Sequence, residues 1–124
     1  MAETYPRLGT LEHQVMDVLW DCPDDLCTRR VLEQLAGRPP AYTTIATVLT
    51  NLTRKGMLER STTPRSRWTY RPTMTRSQYV AGCMAQTLRG AEDRAAALRE
   101  LAGLLAPAEQ TALRDALGGS PVPR

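Results

Sequence analysis

The sequence has no hydrophobic run that approaches the roughly 18 apolar residues a membrane-spanning helix needs. Its first ten residues, MAETYPRLGT, lack both the basic start and the apolar block of a secretory signal. Three cysteines, an odd number, cannot complete a disulfide framework, which fits a reducing compartment. We therefore expect a cytoplasmic protein.

Residues that carry catalysis are also scarce. The chain lacks a Gly-rich phosphate loop, a nucleophile elbow and a clustered pair of carboxylates with a basic partner. Its one histidine, His13, and its three cysteines have neither the Cys-x-x-Cys nor the paired-histidine spacing of a zinc site. The sequence predicts neither an enzyme nor a protein with a metal or other cofactor.

The charge is unevenly distributed along a chain whose length, 124 residues, suits one domain or a small domain with an appendage. Residues 1–37 carry a net charge of −4, and residues 77–124 are neutral. Residues 38–76 carry a net +7, because eight basic side chains oppose Glu59 alone. Such a block is typical of a protein that binds a polyanion, although a solvated basic surface gives the same count.

Apolar spacing predicts two helices before the basic block. The first runs from Thr10 to Trp20, with Thr10 as its cap, and the second from Thr28 to Ala36. Proline and clustered acids at residues 21–25 favour a turn between them.

The third predicted helix, residues 42–55, is the most informative. Four apolar residues follow the i, i+3, i+4, i+7 rule of a buried face, namely Ile45, Val48, Leu49 and Leu52. The opposite face carries Thr43, Thr47, Thr50 and Arg54. Threonine weakens a helix, so its repeated use on an outward face indicates selection for contact.

A basic hairpin follows this helix. Residues 67–70 alternate in polarity as a half-buried strand does, and they face residues 57–60 across a polar tip. Two strands joined by a basic loop, directly after three helices, describe a winged helix-turn-helix. We therefore predict a mainly α fold with a small two- or three-stranded β-wing, and a DNA-binding domain over residues 1–72.

The chemistry of the third helix suits the major groove of DNA. Threonine hydroxyls donate or accept, their methyl groups pack on thymine, and Asn51 can pair with adenine. Basic side chains at the helix end and in the wing reach phosphates, which adds affinity but little sequence information. The predicted DNA-binding residues are Tyr42, Thr43, Thr44, Ala46, Thr47, Thr50, Asn51, Arg54, Lys55, Arg65 and Arg67. The alternative is a winged helix that contacts protein and has no DNA affinity.

Three further helical segments are predicted over residues 73–118. Thr75 and Gln78 match a capping box, and Pro107 suits the first position of the last helix. Their apolar seams, over roughly 45 residues, would be marginal alone and are expected to close against a second chain, or else on the Trp20 side of the same chain. The predicted dimerisation residues are Tyr79, Val80, Cys83, Met84, Leu88, Leu98, Leu101, Leu105, Leu113 and Leu117. Residues 119–124 are predicted to be a flexible tail.

These residues resemble the BlaI/MecI family of penicillinase repressors, which includes copper-responsive repressors. The resemblance covers about residues 7–118, and its main motifs are Leu11-Glu12-x-x-Val15-Met16-x-x-Leu19-Trp20, Ala41-Tyr42-Thr43-Thr44-Ile45-x-Thr47-Val48-Leu49, Leu52-x-x-Lys55-Gly56 and Trp68-x-Tyr70-x-Pro72. It implies a homodimeric repressor with a C-terminal helical dimerisation region, bound to a dyad-symmetric operator where it blocks polymerase. It also places Thr43, Thr44 and Thr47 at base-reading positions, with Asn51 where arginine is frequent.

The inducing signal does not carry over with the resemblance. The β-lactam-responsive members are cut at an Asn-Phe bond by a membrane metalloprotease, but this chain has no phenylalanine and its one asparagine is Asn51. The copper-responsive members carry C-terminal Cys-x-Cys pairs, and residues 118–124 contain no cysteine. A signal protein or protease that acts by another rule stays open as a partner, and a regulator that senses oxidants through Cys22 and Cys27 is an alternative.

Overall fold

The computed structural model describes residues 5–65 and 67–118. The elements follow in the order α1 (Thr10–Asp21), α2 (Thr28–Gln34), α3 (Tyr42–Arg54), β1 (Leu58–Thr62), β2 (Trp68–Pro72), α4 (Arg76–Arg89), α5 (Arg94–Leu104) and α6 (Pro107–Gly118). The prediction of a mainly helical fold with a small β-wing is confirmed. The chain forms two compact units that divide inside α4, after Cys83. The predicted tail, residues 119–124, lies outside the described residues.

The core of the first unit lies where α1, α2 and α3 meet the wing. Its largest fully buried side chains come from the three helices and from the residue just before β1, namely Val15, Met16, Leu19, Val31, Ile45, Leu49, Leu52 and Met57. The predicted apolar face of α3 is confirmed, since Val48, its most exposed member, is only 8% exposed. Each such side chain contributes about 1.5–3 kcal/mol through burial. This contribution fixes α3 against the rest of the unit.

The helix ends follow local capping groups. Gly9, and not the predicted Thr10, occupies the N-cap of α1, because the Glu12 carboxylate accepts a hydrogen bond from the Gly9 N–H at 2.9 Å. The predicted capping box of α4 is confirmed, with Thr75 N–H donating to Gln78 Oε1 at 2.8 Å and Gln78 N–H donating to Thr75 Oγ1 at 3.0 Å. Gly56, whose φ is 85°, follows α3 in the left-handed region that favours glycine.

The wing is an antiparallel pair in which β1 and β2 align Leu58 with Pro72 and Thr62 with Trp68. Leu26 adds a one-residue bridge, since it exchanges two backbone hydrogen bonds with Tyr70, at 3.1 and 2.8 Å. The chain between α1 and α2 therefore pairs with the middle of β2. β1 runs to Thr62, further toward the tip than the sequence predicts, and β2 runs to Pro72, further away from the tip, because a backbone ladder needs no apolar side chains.

Tyr79 packs the beginning of α4 against the rest of the first unit. Its side chain is buried, its hydroxyl donates to the Pro6 carbonyl at 2.5 Å, and its ring lies 5.8 Å from the ring of Trp20. Burial, together with a hydrogen bond involving Cys83, raises the pKa of Tyr79 to about 12. Tyr79 is thus a core residue of the winged helix, although the sequence suggests a place on a dimer seam.

The second unit buries no residue of α5 or α6. Its helices are joined by Gln110, whose Nε2 donates to the carbonyls of Ala102 and Leu105 at 3.3 and 3.1 Å. A groove of about 730 Å³ runs beside this joint and is lined in part by Leu113 and Leu117. Of the predicted dimerisation residues, the exposed ones are Val80, Met84, Leu98, Leu101, Leu113 and Leu117, and the half-buried ones are Cys83, Leu88 and Leu105.

Within the described ranges, none of the helices combines the length and the apolar character needed to cross a membrane.

Gly82 lets the Tyr5 ring of the N-terminal segment approach α4 closely. A Cβ placed on Gly82 would lie 2.3 Å from atoms of the Tyr5 ring. We predict that Gly82→Ala lowers the free energy of unfolding by about 1–3 kcal/mol, because the ring must leave its contact. Urea denaturation measures this change. In a Tyr5→Ala background the same substitution should be neutral or stabilising, since alanine favours a helix. Equal destabilisation in both backgrounds would contradict the contact.

Candidate nucleic-acid interface

The outward face of α3 carries a row of small hydroxyl side chains. Thr43, Thr44, Thr47 and Thr50 are all exposed. The Thr50 hydroxyl donates to the Ala46 carbonyl at 3.0 Å, so it remains available only as an acceptor. In the described part of the chain no hydrogen bond reaches the Thr47 hydroxyl, which can therefore both donate and accept. The predicted exposure of this face is confirmed, and base contact stays a prediction.

The last turn of α3 has a side-chain pair of its own. Arg54 Nη2 donates to Asn51 Oδ1 at 2.7 Å, and Arg54 is exposed. The bond holds the guanidinium beside the hydroxyl row. The Asn51 oxygen keeps a second lone pair and its amide nitrogen keeps its donors, so the side chain can still pair with a base edge.

Lys55, in contrast, is held by α1. Its Nζ lies 2.8 Å from Glu12 Oε1 and 2.9 Å from Oε2. Burial raises the pKa of Glu12, but the hydrogen bonds from Lys55 and from the Gly9 N–H, together with the positive charge of Lys55, leave the pKa below its ordinary value. The Lys55 charge is therefore compensated inside the protein, and the pair joins the end of α3 to the start of α1.

Ion pairs sort the eight basic side chains of residues 38–76 into two groups. Three of them have carboxylate partners: Lys55 with Glu12, Arg71 with Glu59 at 3.1 Å, and Arg76 with Asp17 and Asp21 at 3.2 and 3.1 Å. The other five, Arg38, Arg54, Arg60, Arg65 and Arg67, have no carboxylate partner among residues 5–65 and 67–118. The uncompensated positive charge is thus carried by α3, the wing and the loop before α3.

Side-chain to backbone hydrogen bonds hold the two arginines at the tip of the wing. The Thr63 hydroxyl accepts from the backbone N–H groups of Arg65 and Arg67 at 3.3 and 3.2 Å. On the strands, the Arg60 guanidinium lies 4.1 Å from the centre of the Trp68 ring, a diagonal contact across the pair. Trp68 itself is 46% exposed. The wing therefore offers flat, cationic surface next to its two tip arginines.

The structure brings Tyr42, Arg65 and Arg67 together around a recess that also contains Thr28 and Arg29. Tyr42 is exposed at the first turn of α3, and Ala46 is half-buried on its flank. Sequence reasoning missed Arg29 as well as Arg60 and Trp68. Strand alternation carried a signal for the Arg60–Trp68 contact, whereas Arg29 is brought to the wing only by the tertiary fold.

The three cysteines are free thiols. Cys27 is buried at the N-cap of α2, and Cys22 and Cys83 are half-buried. Oxidation of Cys27 therefore requires a local opening of the structure, and the thiol-responsive alternative stays a prediction.

Comparison with known proteins gives a family and a fold. The family model described as penicillinase repressor matches residues 8–118. The Transcriptional regulator BlaI of Mycobacterium tuberculosis, from strain CDC 1551 / Oshkosh and from strain ATCC 25618 / H37Rv, is 40% identical over 115 residues, which cover 90% of this chain and 83% of the relative. The solved complex structure of hsRosR-S4 superposes with a TM-score of 0.53 at 18% identity, over 77% of this chain and 87% of that chain. This last likeness supports the fold alone.

The Glu12–Lys55 pair makes stability depend on pH. Folding lowers the Glu12 pKa, so its contribution is complete above the unfolded value of about 4.3 and is lost as the pH falls through the folded value. We predict that Glu12→Gln costs about 0.5–1.5 kcal/mol of unfolding free energy at pH 7 and progressively less below pH 4. Urea denaturation at several pH values measures this.

Glu59→Gln is the matched control, because the Glu59–Arg71 pair is well exposed and should change stability little. An equal loss from both variants at pH 7 would contradict a special role for Glu12.

Proposed function

The chain belongs to the penicillinase repressor family, and on that premise we propose that it represses transcription as a homodimer bound to a dyad-symmetric operator. The family is one of transcriptional regulators and not of enzymes. The observation that carries the proposal is the outward face of α3, where exposed threonines are bordered by arginines without carboxylate partners in the described ranges. The protein then acts in the cytoplasm, on the DNA it binds.

We assign base recognition to the hydroxyl row. A helix about 10–12 Å across fits the major groove, where each base pair has its own pattern of donors and acceptors. Thr43, Thr44 and Thr47 lie on the exposed face of the first half of α3, and the Thr47 hydroxyl is uncommitted within the described chain. Thr50 and Asn51 continue the row as an acceptor and an amide. These side chains determine which sequence is bound.

We assign phosphate contact to Arg54 and to the wing arginines Arg65 and Arg67. Their charges are uncompensated among the described residues, so they can replace the counterions of the DNA backbone. Lys55 takes a different role from the one predicted, because Glu12 holds its ammonium group. We propose that it holds the end of α3 against the start of α1.

We assign dimerisation to the exposed apolar faces of α4, α5 and α6. Leu104 is 81% exposed and Leu117 is 78% exposed, and neither α5 nor α6 buries a residue within the chain. Each leucine side chain left exposed to water forgoes about 1.5–3 kcal/mol of free energy that burial would contribute. A second copy of the chain covers them and supplies the second DNA-reading helix that a dyad-symmetric site requires.

Binding to the chain's own promoter region, measured by gel shift over a series of salt concentrations, tests the proposal. We expect the logarithm of the binding constant to fall linearly with the logarithm of salt concentration, by about 0.9 per phosphate neutralised. A random duplex should bind more weakly and with a similar slope. Absence of binding to any duplex at low salt would favour the protein-interaction alternative.

Two substitutions separate base reading from phosphate contact. We predict that Thr47→Ala reduces discrimination at one base pair by about 1–3 kcal/mol, because that pair loses its hydroxyl partner. Arg65→Ala should weaken all duplexes alike and lower the salt slope by about 0.9 for the one phosphate contact it removes. Binding constants for the operator, its single-base variants and a random duplex measure both effects. Equal losses on specific and random duplexes from both variants would refute this division.

The dimer is tested by a charge placed on its proposed face. We predict that Leu113→Glu makes the chain monomeric at micromolar concentration, because a carboxylate would have to be buried against the partner. Sedimentation equilibrium measures the mass, and circular dichroism shows whether α6 is kept. Thr111→Glu is the control, since it adds the same charge about 200° around the helix. Dimerisation that is unchanged in Leu113→Glu would contradict the assignment.

A further inference from the structure

A recess of about 360 Å³ lies between the start of α2, the start of α3 and the tip of the wing. It is far larger than the roughly 30 Å³ share of a water molecule. The side chains around it that bear on a ligand are those of Thr28, Arg29, Tyr42, Arg65, Arg67 and Trp68. The recess thus combines three guanidinium groups with two hydroxyls and one indole.

The hydroxyl of Thr28 is buried at this recess without a hydrogen-bond partner in the described chain. The residue is only 8% exposed, and it is the one buried polar residue of the described chain. Within residues 5–65 and 67–118 no hydrogen bond reaches its hydroxyl, and the N-cap residue before it supplies no side-chain bond either. A buried hydroxyl without a partner destabilises the fold, because it has given up its hydrogen bonds to water. Since Thr28 lines the recess, a ligand there can supply the missing partner.

The charge of the recess indicates the class of ligand. None of the residues that line it is acidic, and Arg29, Arg65 and Arg67 have no carboxylate partner in the described ranges. Guanidinium groups and hydroxyls together are suited to the tetrahedral oxygens of a phosphate. The exposed Trp68 and Tyr42 rings form apolar walls that suit the sugar on either side of such a group.

We propose that this recess binds one phosphate group, and that the group is a backbone phosphodiester of the DNA read by α3. The inference rests on the proposed function and deepens it, because it names Thr28 and Arg29 as phosphate ligands that lie outside the recognition helix. The Thr28 hydroxyl donates a hydrogen bond to one phosphate oxygen, while Arg29 and the wing arginines pair with the negative charge of the phosphate. The contact fixes the register of the helix along the groove without reading a base.

A methylphosphonate scan of the bound duplex tests the inference. Each phosphate in turn is replaced by a neutral methylphosphonate, and the Kd is measured for the full-length wild type, Thr28→Val and Arg29→Ala. In each half-site we expect one phosphate whose replacement weakens wild-type binding about tenfold. Replacing that same phosphate should weaken the binding of each variant by less than about twofold, relative to that variant's own binding of the unmodified duplex. At other phosphates all three proteins should lose affinity by the same factor.

Arg30→Ala is the matched control, because Arg30 is the neighbouring arginine of α2, pairs with Glu33 at 3.9 Å and does not line the recess. It should keep the wild-type pattern at every phosphate. Thr28→Val keeps the shape of the side chain and loses only the hydroxyl. Variants that lose the same factor as wild type at every position would overturn the inference while the proposed function stands.

Inorganic phosphate, titrated into the free protein and followed by amide chemical shifts, distinguishes the two sources of such a group. Position-specific coupling in the duplex, with or without these shifts, supports the DNA phosphodiester. Saturable shifts at Thr28 and Arg29 without any coupling in the duplex would assign the recess to a free phosphate compound and overturn the DNA assignment. A wild type that binds no duplex at all refutes the proposed function instead.

Discussion

Burial of one face of α3 is the interaction on which the rest of the structure depends. Threonine is a weak helix former, by up to about 0.7 kcal/mol per residue relative to alanine, and the outward face of α3 is rich in it. The inward face buries Ile45, Leu49 and Leu52 completely, at about 1.5–3 kcal/mol each. Packing therefore outweighs propensity, and the helix forms although its exposed face is rich in threonine.

Ion pairs determine where the positive charge of residues 38–76 is exposed. The basic block of the sequence does not become a uniform basic surface, because carboxylates of α1 hold Lys55 and Arg76 and Glu59 pairs with Arg71. The pairs made by Lys55 and Arg76 also connect parts of the chain that lie far apart in sequence. The ion pairs thus leave the uncompensated charge of residues 38–76, within the described chain, on α3, the wing and the loop before α3.

Much of this arrangement could be predicted because its causes are local. The periodicity of residues 42–55 specifies the two faces of α3, and the capping box at Thr75 specifies where α4 begins. Where the cause is tertiary, prediction was incomplete. An apolar position such as Tyr79 looks the same whether its partner is Pro6 and Trp20 of its own chain or a second chain.

The basic side chains could not be told apart from the sequence for the same reason, since their partners are also tertiary. Adjacent in sequence, Arg54 and Lys55 look alike as phosphate ligands, and only the fold brings Glu12 to one of them. Arg29 reaches the wing by the same means. The family membership identifies a transcriptional repressor, and the structure shows which of the basic side chains have carboxylate partners.

The most direct test of the account is an amide chemical-shift map of the full chain titrated with its operator duplex. If the hydroxyl face of α3 lies against DNA, the largest changes fall on residues 43–54, on the start of α2 and on the wing, and they decrease as salt is added. Changes confined to α1 or to α4–α6, or no change at low salt, would show that the hydroxyl face of α3 does not lie against DNA.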